Sequence, residues 1–139
     1  MSFDLTMTDR FTPGEEQAIL DRLQAYNIAN FGPSDRRDLA IILRDDAGEP
    51  EGGLIGRTGR GWLYVQMLFV PDRLRHQGLA GRMLAMAEQE AKARGCCGAY
   101  LDTMNPQALV FYQKHAYEMI GQLPGLTGDH AITWLKKRF

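Results

Sequence analysis

The stretch that decides the fold runs from Val70 to Gly95, VPDRLRHQGLAGRMLAMAEQEAKARG. It opens where an apolar run, Leu63 to Val70, stops, and it closes at a glycine. Leu79, Met83, Ala87 and Ala91 recur every fourth residue, with Ala80 and Leu84 beside them, which predicts an amphipathic helix with one apolar face. Arg82, Glu88, Gln89 and Lys92 fall on the remaining side. Lys92 and Arg94 followed by Gly95 are a helix stop, because cations suit the negative end of the helix dipole and glycine tolerates the left-handed residue that ends it. The other end carries the chemistry. Arg75, Gly78 and Gly81 mark a basic glycine turn that leads into the helix. Glycine lets a ligand approach the backbone closely, and the first helical N–H groups have no partner within the helix. Strand, turn and helix start together form a candidate phosphate cradle. The competing reading is an ordinary helix-capping loop. The dinucleotide-binding G-x-G-x-x-G is absent, and no Lys-Ser/Thr pair follows the glycines as in a P-loop.

Working outward, the residues before this unit predict strands and one helix. Phe3, Leu5 and Met7 alternate with polar residues, which predicts a short first strand. Thr12-Pro13-Gly14-Glu15-Glu16 reads as a helix start, with Thr12 as N-cap, proline at the first position and acids in the first turn. Ala18, Ile19, Leu23, Tyr26 and Ala29 follow at helical spacing to about Phe31, where Gly32-Pro33-Ser34 breaks the pattern. Leu39 to Leu43 is a buried strand, Asp46 to Pro50 a turn, and Gly53 to Gly56 opens the returning strand of a hairpin. Trp62 to Val70 is the longest strand. After the central helix come a strand over Cys96 to Thr103, a helix from Asn105-Pro106 through His115, and strands near Tyr117 to Leu123 and His130 to Lys136. The order predicts a mixed α/β (α+β) domain with a central sheet of about seven strands and flanking helices over residues 1–139. Strand, helix and strand from Trp62 to Thr103 imply a parallel pair with a right-handed crossover. The cradle then lies at the carboxyl end of a strand, where open sheets bind ligands.

Composition narrows what that cradle serves. The chain has 139 residues, 45% hydrophobic and 24% charged, with a formal net charge of −1. That balance belongs to an ordinary globular domain and argues against a broad nucleic-acid-binding surface. No apolar stretch reaches the roughly 20 residues that span a bilayer, and MSFDLTMTDR has neither the basic nor the apolar segment of a signal peptide, so a cytoplasmic protein away from the membrane is expected. Cys96 and Cys97 are adjacent and cannot staple distant segments; two buried, reduced thiols are expected. Three scattered histidines, His76, His115 and His130, supply no metal site.

Leu68-Phe69-Val70, a four-residue spacer, then Arg75-His76-Gln77-Gly78-Leu79-Ala80 resembles the R-x-x-G-x-G/A motif of the GNAT superfamily of N-acetyltransferases. Asn105-Pro106-Gln107-Ala108-Leu109-Val110-Phe111-Tyr112 resembles the N-x-x-A-x-x-F-Y helix of that superfamily. Each motif alone is weak; both in order, about thirty residues apart, are specific. The resemblance covers about Leu39 to Phe139. Two positions depart from the pattern: Ala80 stands at the last glycine of the first motif, and Ala116-Tyr117 stands where Gly-Phe is usual.

The resemblance implies acetyl-CoA as cofactor, held by Arg75, His76, Gln77, Gly78, Leu79, Ala80, Gly81 and Arg82 at its pyrophosphate. It implies that the pantetheine arm bonds the backbone of Leu68 and Val70, as a strand added to a sheet edge would. The long strand would splay from its parallel neighbour to admit the thioester. Asn105, Ala108 and Tyr112 share one helical face at i, i+3 and i+7. Asn105 before proline is also a plain N-cap pair, and Tyr112 read alone is a core aromatic. The family motif makes Asn105 a cofactor contact and Tyr112 the catalytic proton donor to the departing thiolate.

No general base is assigned. The polar residue on the long strand is Gln66, which cannot take a full proton near neutral pH; Asp102, Asp129 and His130 are further candidates. Without a base, the reactive fraction of a lysine-like amine grows tenfold per pH unit, so activity should climb towards about pH 9. Tyr26, Asn27, Asn30 and Phe31 on the first helix, with Gln66 and Asp102, are candidate acceptor-side residues. His115 is read as a cap of the second helix. The implied activity is acetyl transfer to a primary amine, small molecule or peptide, by direct attack in a ternary complex, in a monomer or homodimer. A non-catalytic acyl-CoA sensor is the alternative.

Overall fold

The sheet topology follows from hairpins plus two helical crossovers. In the computed structural model, which describes residues 1–139, the order is α1 (Pro13–Phe31), β1 (Arg37–Arg44), β2 (Pro50–Gly59), β3 (Trp62–Phe69), α2 (Leu79–Ala93), β4 (Gly98–Thr103), α3 (Pro106–Lys114), β5 (Glu118–Leu126) and β6 (His130–Arg138). The chain divides into two units, Met1–Ser34 and Asp35–Phe139. In the first, α1 starts with a capping box: the Thr12 side chain accepts from Glu15 N at 3.1 Å and Glu15 Oε1 accepts from Thr12 N at 2.8 Å. The expected strand over Phe3, Leu5 and Met7 is absent. Alternation is only a pattern of side chains. A strand also needs a ladder partner, and the sheet, ordered β1-β2-β3-β4-β6-β5, has six strands and does not include this segment.

In the second unit every pair is antiparallel except β3 and β4, joined by the α2 crossover. Leu39, Leu54, Leu63, Val65, Ala99, Leu101 and Leu135 point from the strands into one core, against Met83, Leu84, Ala87 and Ala91 of α2. Glu88, expected among the solvent-facing residues, is buried there too, one turn beyond Leu84. It is tolerated because Tyr117 Oη donates to it at 2.8 Å and Lys137 Nζ at 2.7 Å. The helix stop at Gly95 is a Schellman motif: Cys96 N donates to Ala91 O and Gly95 N to Lys92 O, both at 2.9 Å, with Gly95 at φ 86°. α3 ends the same way, with Tyr117 N donating to Tyr112 O at 3.0 Å, but Ala116 takes the left-handed position at φ 72°. Cys97 lies exposed rather than buried, because β4 begins only at Gly98.

One irregularity positions the site. The β2–β3 ladder pairs Ile55 with Met67 and Gly56 with Val65, so Gln66 is an extra residue on β3. Such a bulge bends its strand. The parallel β3–β4 ladder stops at the same place, its last pair being Val65 and Leu101. Leu63 and Val65 face the core before the bulge; beyond it, the residues turned inward are Leu68 and Val70.

Candidate active site

After β3, a 3-10 turn (Asp72–Leu74) leads to Arg75. Arg75 Nε donates to the Val70 carbonyl at 3.0 Å, and its guanidinium pairs with Asp72 at 2.6 Å, so this side chain folds the loop back onto the end of the strand. His76 and Gly78 both adopt left-handed backbone, φ 62° and 76°, which turns the chain sharply into α2. Gly78 is the N-cap and no side chain caps the helix, so the first-turn N–H groups keep their donors for another partner. A Cβ added at Gly78 would meet nothing within 4 Å. In front of this turn opens a cavity of about 570 Å³, lined by Val70, Arg75, His76, Gly78, Leu79, Ala80, Gly81 and Arg82. Three basic side chains, a bare helix N-terminus and open space are the chemistry that takes a phosphate. The cradle therefore fits an anion of the pyrophosphate kind. Gln77 lies in the turn and Leu68 on β3; neither lines this cavity.

The α3 side of the cavity differs from expectation. Phe111 and His115 line it, and a Cβ on Gly81 would stand 3.0 Å from His115 Cε1. His115 ends α3 through its backbone, while its ring packs at 4.4 Å from that of Phe111. Ala108, Phe111 and His115 share a helix face by the i, i+3, i+7 rule. That spacing was the available signal for these two residues.

Asn105 acts as N-cap of α3, its Oδ1 accepting from Gln107 N at 2.9 Å. Tyr112 is buried, with its ring edge-on to Phe111 at 5.2 Å and to Tyr117 at 5.8 Å. Burial, and then the negative charge of Asp102, push its hydroxyl up to about 12. Asp102 is the first β4 residue past the last parallel pair, and its Oδ1 accepts from Tyr64 Oη at 3.0 Å. Asp102, Tyr112 and the parting of β3 from β4 thus come together. Gln66 instead lines a pocket of about 310 Å³ with Asp38, Ile55 and Arg57. Asp129 and His130 lie at the β5–β6 turn. Tyr26, Asn27, Asn30 and Phe31 lie near the end of α1 in the N-terminal unit, where Asn30 Nδ2 donates to the Tyr26 carbonyl at 2.8 Å. No helix is long and apolar enough to cross a membrane.

Comparison with known proteins agrees with this geometry. The profile of the Acetyltransferase (GNAT) family matches residues 5–117. Acetyltransferase Atu2258 of Agrobacterium fabrum is 57% identical over 124 residues, covering 89% of this chain and 90% of that one. Blasticidin-S acetyltransferase of Streptomyces morookaense is 38% identical over 80 residues, covering 57% of this chain and 59% of the relative. A solved Agrobacterium tumefaciens structure assigned to the acetyltransferases superposes with a TM-score of 0.94 at 52% identity, covering 99% of this chain and 100% of the other. An acetyltransferase from Bacillus cereus superposes at 0.79 with 25% identity, covering 96% and 98%. The two motifs, the splayed parallel pair and these relatives agree: the chain belongs to the acetyltransferase (GNAT) family and is an acetyl-CoA-dependent acetyltransferase.

Proposed function

We propose that the acceptor is a primary amine, small molecule or peptide, that it attacks the thioester directly in a ternary complex, and that Tyr112 protonates the leaving sulfur. The observation that carries this is the buried Tyr112 hydroxyl, held protonated to about pH 12 near Asp102, where β3 and β4 part. A phenol that never ionises in the working range is a donor at every such pH.

Acetyl-CoA supplies an activated thioester acyl group. The protein supplies placement. Arg75, His76 and Arg82, with the N–H groups from Gln77 to Gly81, would hold the pyrophosphate. The main chain of Leu68 and Val70 would hold the arm; the Val70 carbonyl already accepts from Arg75, and a carbonyl has a second lone pair to give. Asn105 shapes the start of α3 and so sets the direction of Tyr112. Gln66 and Asp102 would border the acceptor.

The test is thiol release from acetyl-CoA with a panel of primary amines. Blasticidin S is included because one relative is named for acetylating it. Steady release with at least one amine, reduced about 10²–10⁴-fold in Tyr112→Phe with little change in coenzyme affinity, is the expected result. Transfer only to alcohols, or undiminished turnover in Tyr112→Phe when chemistry limits the rate, would overturn the proposal.

A further inference from the structure

We infer that Asp102, held in place by Tyr64, is the carboxylate that engages the acceptor's ammonium group and takes the proton it must lose before attack. This rests on the amine-acetylating reading above and adds to it the base that the long strand lacks, since Gln66 occupies the bulge.

Three observations carry it. The first is position. Asp102 follows directly on Leu101, the last residue of β4 in the parallel ladder, so its side chain stands where the strands begin to separate. The second is preorganisation. Oδ1 accepts from Tyr64 Oη at 3.0 Å, and Tyr64 is itself held by stacking on Tyr100 at 5.0 Å and by the Arg57 guanidinium 4.6 Å above its ring. Oδ2 makes no hydrogen bond, and Asp102 is exposed, so a second donor can reach it. A carboxylate fixed through one oxygen and open at the other, beside aromatic faces, suits an alkylammonium ion. The third is pairing with the acid: the Asp102 charge is felt at the Tyr112 hydroxyl. A carboxylate and a buried phenol near one another, where two strands part, are the residue types that acid–base catalysis uses.

The surrounding charges leave the role to Asp102. Arg57 from β2 lies over Tyr64. Opposite Asp102 on β6 is Trp134, which does not titrate, and Lys136 beyond it pairs with Glu118 at 3.7 Å. Tyr100 stacks on Tyr64, and the Tyr112 hydroxyl feels the Asp102 charge.

The step balances as follows. The ammonium nitrogen gives one proton to Asp102 Oδ2. Its freed lone pair attacks the thioester carbonyl carbon; the C–N bond forms, the C–S bond breaks, and Tyr112 Oη–H protonates the sulfur. The second nitrogen proton restores Tyr112, and Asp102 passes its proton to solvent. One proton is released per acetyl group moved.

The experiment uses the full chain with saturating acetyl-CoA for rates, and with coenzyme A for binding. Butylamine serves as probe, because like lysine it is protonated at neutral pH. Wild type, Asp102→Asn and Tyr64→Phe are compared for pH–rate profile, butylammonium affinity by NMR titration, and coenzyme A affinity by calorimetry. In the expected result, the wild-type profile levels off well below the amine's own pKa. Asp102→Asn then loses about 10²-fold near neutral pH and climbs tenfold per pH unit, binds butylammonium at least about tenfold more weakly, and holds coenzyme A as before. Tyr64→Phe falls between the two. Asp102→Asn with the wild-type profile and affinity would overturn the inference while leaving amine acetylation standing. Wild type that acetylates no amine, yet loses butylammonium binding on Asp102→Asn, would overturn the amine-acetylating reading and support the cation site.

Discussion

The Tyr117 hydroxyl donates to Glu88 Oε2 at 2.8 Å inside the core, while Lys137 Nζ donates to the other oxygen at 2.7 Å. Three elements, α2, the residue before β5, and β6, meet on one carboxylate. Removing one member of such a group leaves the others buried without a partner. Glu88→Ala is expected to destabilise the protein by about 3 kcal/mol, and Tyr117→Phe by about 1–2 kcal/mol. Urea unfolding midpoints measure both. An effect of Glu88→Ala no larger than that of an exposed alanine substitution would show that the network contributes nothing.

Stability should fall in alkali. Burial raises the Tyr112 hydroxyl to about 12, and burial with the Glu88 charge raises Tyr117 further. In the unfolded chain both ionise near 10. A group whose pKa is higher when folded favours the folded state while it stays protonated, so the contribution is whole below about pH 10 and is lost above it. The loss approaches roughly 1.4 kcal/mol per pH unit for each tyrosine up to its folded pKa. Denaturation curves at about pH 8 and about pH 11, with phenolate absorbance followed alongside, check this. Two of the five tyrosines should ionise only as the chain unfolds. Equal stability at the two pH values would contradict the assignment.

Coenzyme binding should be sensitive to charge at Ala80 and not to helix formation there. Glutamate is favourable in the first turn of a helix, so Ala80→Glu keeps α2. It also places an anion in the cradle between Gly78 and Gly81. Calorimetry should show coenzyme A affinity reduced by about 10²-fold, for a charge-assisted contact turned into a repulsion, with an unfolding midpoint near that of wild type. Undiminished affinity in the folded variant would remove the pyrophosphate from this turn.

Ala116→Gly is expected to stabilise. Ala116 holds the left-handed position of a Schellman motif at φ 72°, a conformation that costs a Cβ-bearing residue about 1–2 kcal/mol. Glycine relieves that strain and gives back part of the gain as unfolded-state entropy. A net gain of about 1 kcal/mol, or about 3–5 °C in Tm, should appear in a thermal scan. A lowered Tm would mean that the methyl group packs better than its backbone suffers.

How much of this was legible depended on whether a feature is written locally. The Thr12 cap, the Gly95 stop and the Asn105-Pro106 start were readable because each is set by residues within one turn of chain. The turn into α2 was readable for the same reason, since Gly78 and the start of the helix are sequential. Three other features were not local. The Phe3 to Met7 alternation lacks a ladder partner, which periodicity alone does not reveal. Glu88 looked like a surface charge because its partners lie 29 and 49 residues away. His115 and Phe111 reach the cavity beside the Gly78 turn only because α3 comes close to the start of α2, and their helical spacing named a face without saying what it met.

The bulge at Gln66 makes β3 sensitive to length in a way that composition does not show. Odd-numbered residues face inward before it and even-numbered residues after it, Leu63 and Val65 giving way to Leu68 and Val70. Deleting Gln66 is therefore unlike replacing it. With Val65 and everything before it held in register, losing the extra residue restores plain alternation: Leu68 and Val70 stay inward and Met67 and Phe69 stay outward, but the bend goes with the bulge. The loop to Arg75 would then leave from a straighter strand end. At this position a count of residues, not the identity of a side chain, sets the direction in which the chain leaves the sheet.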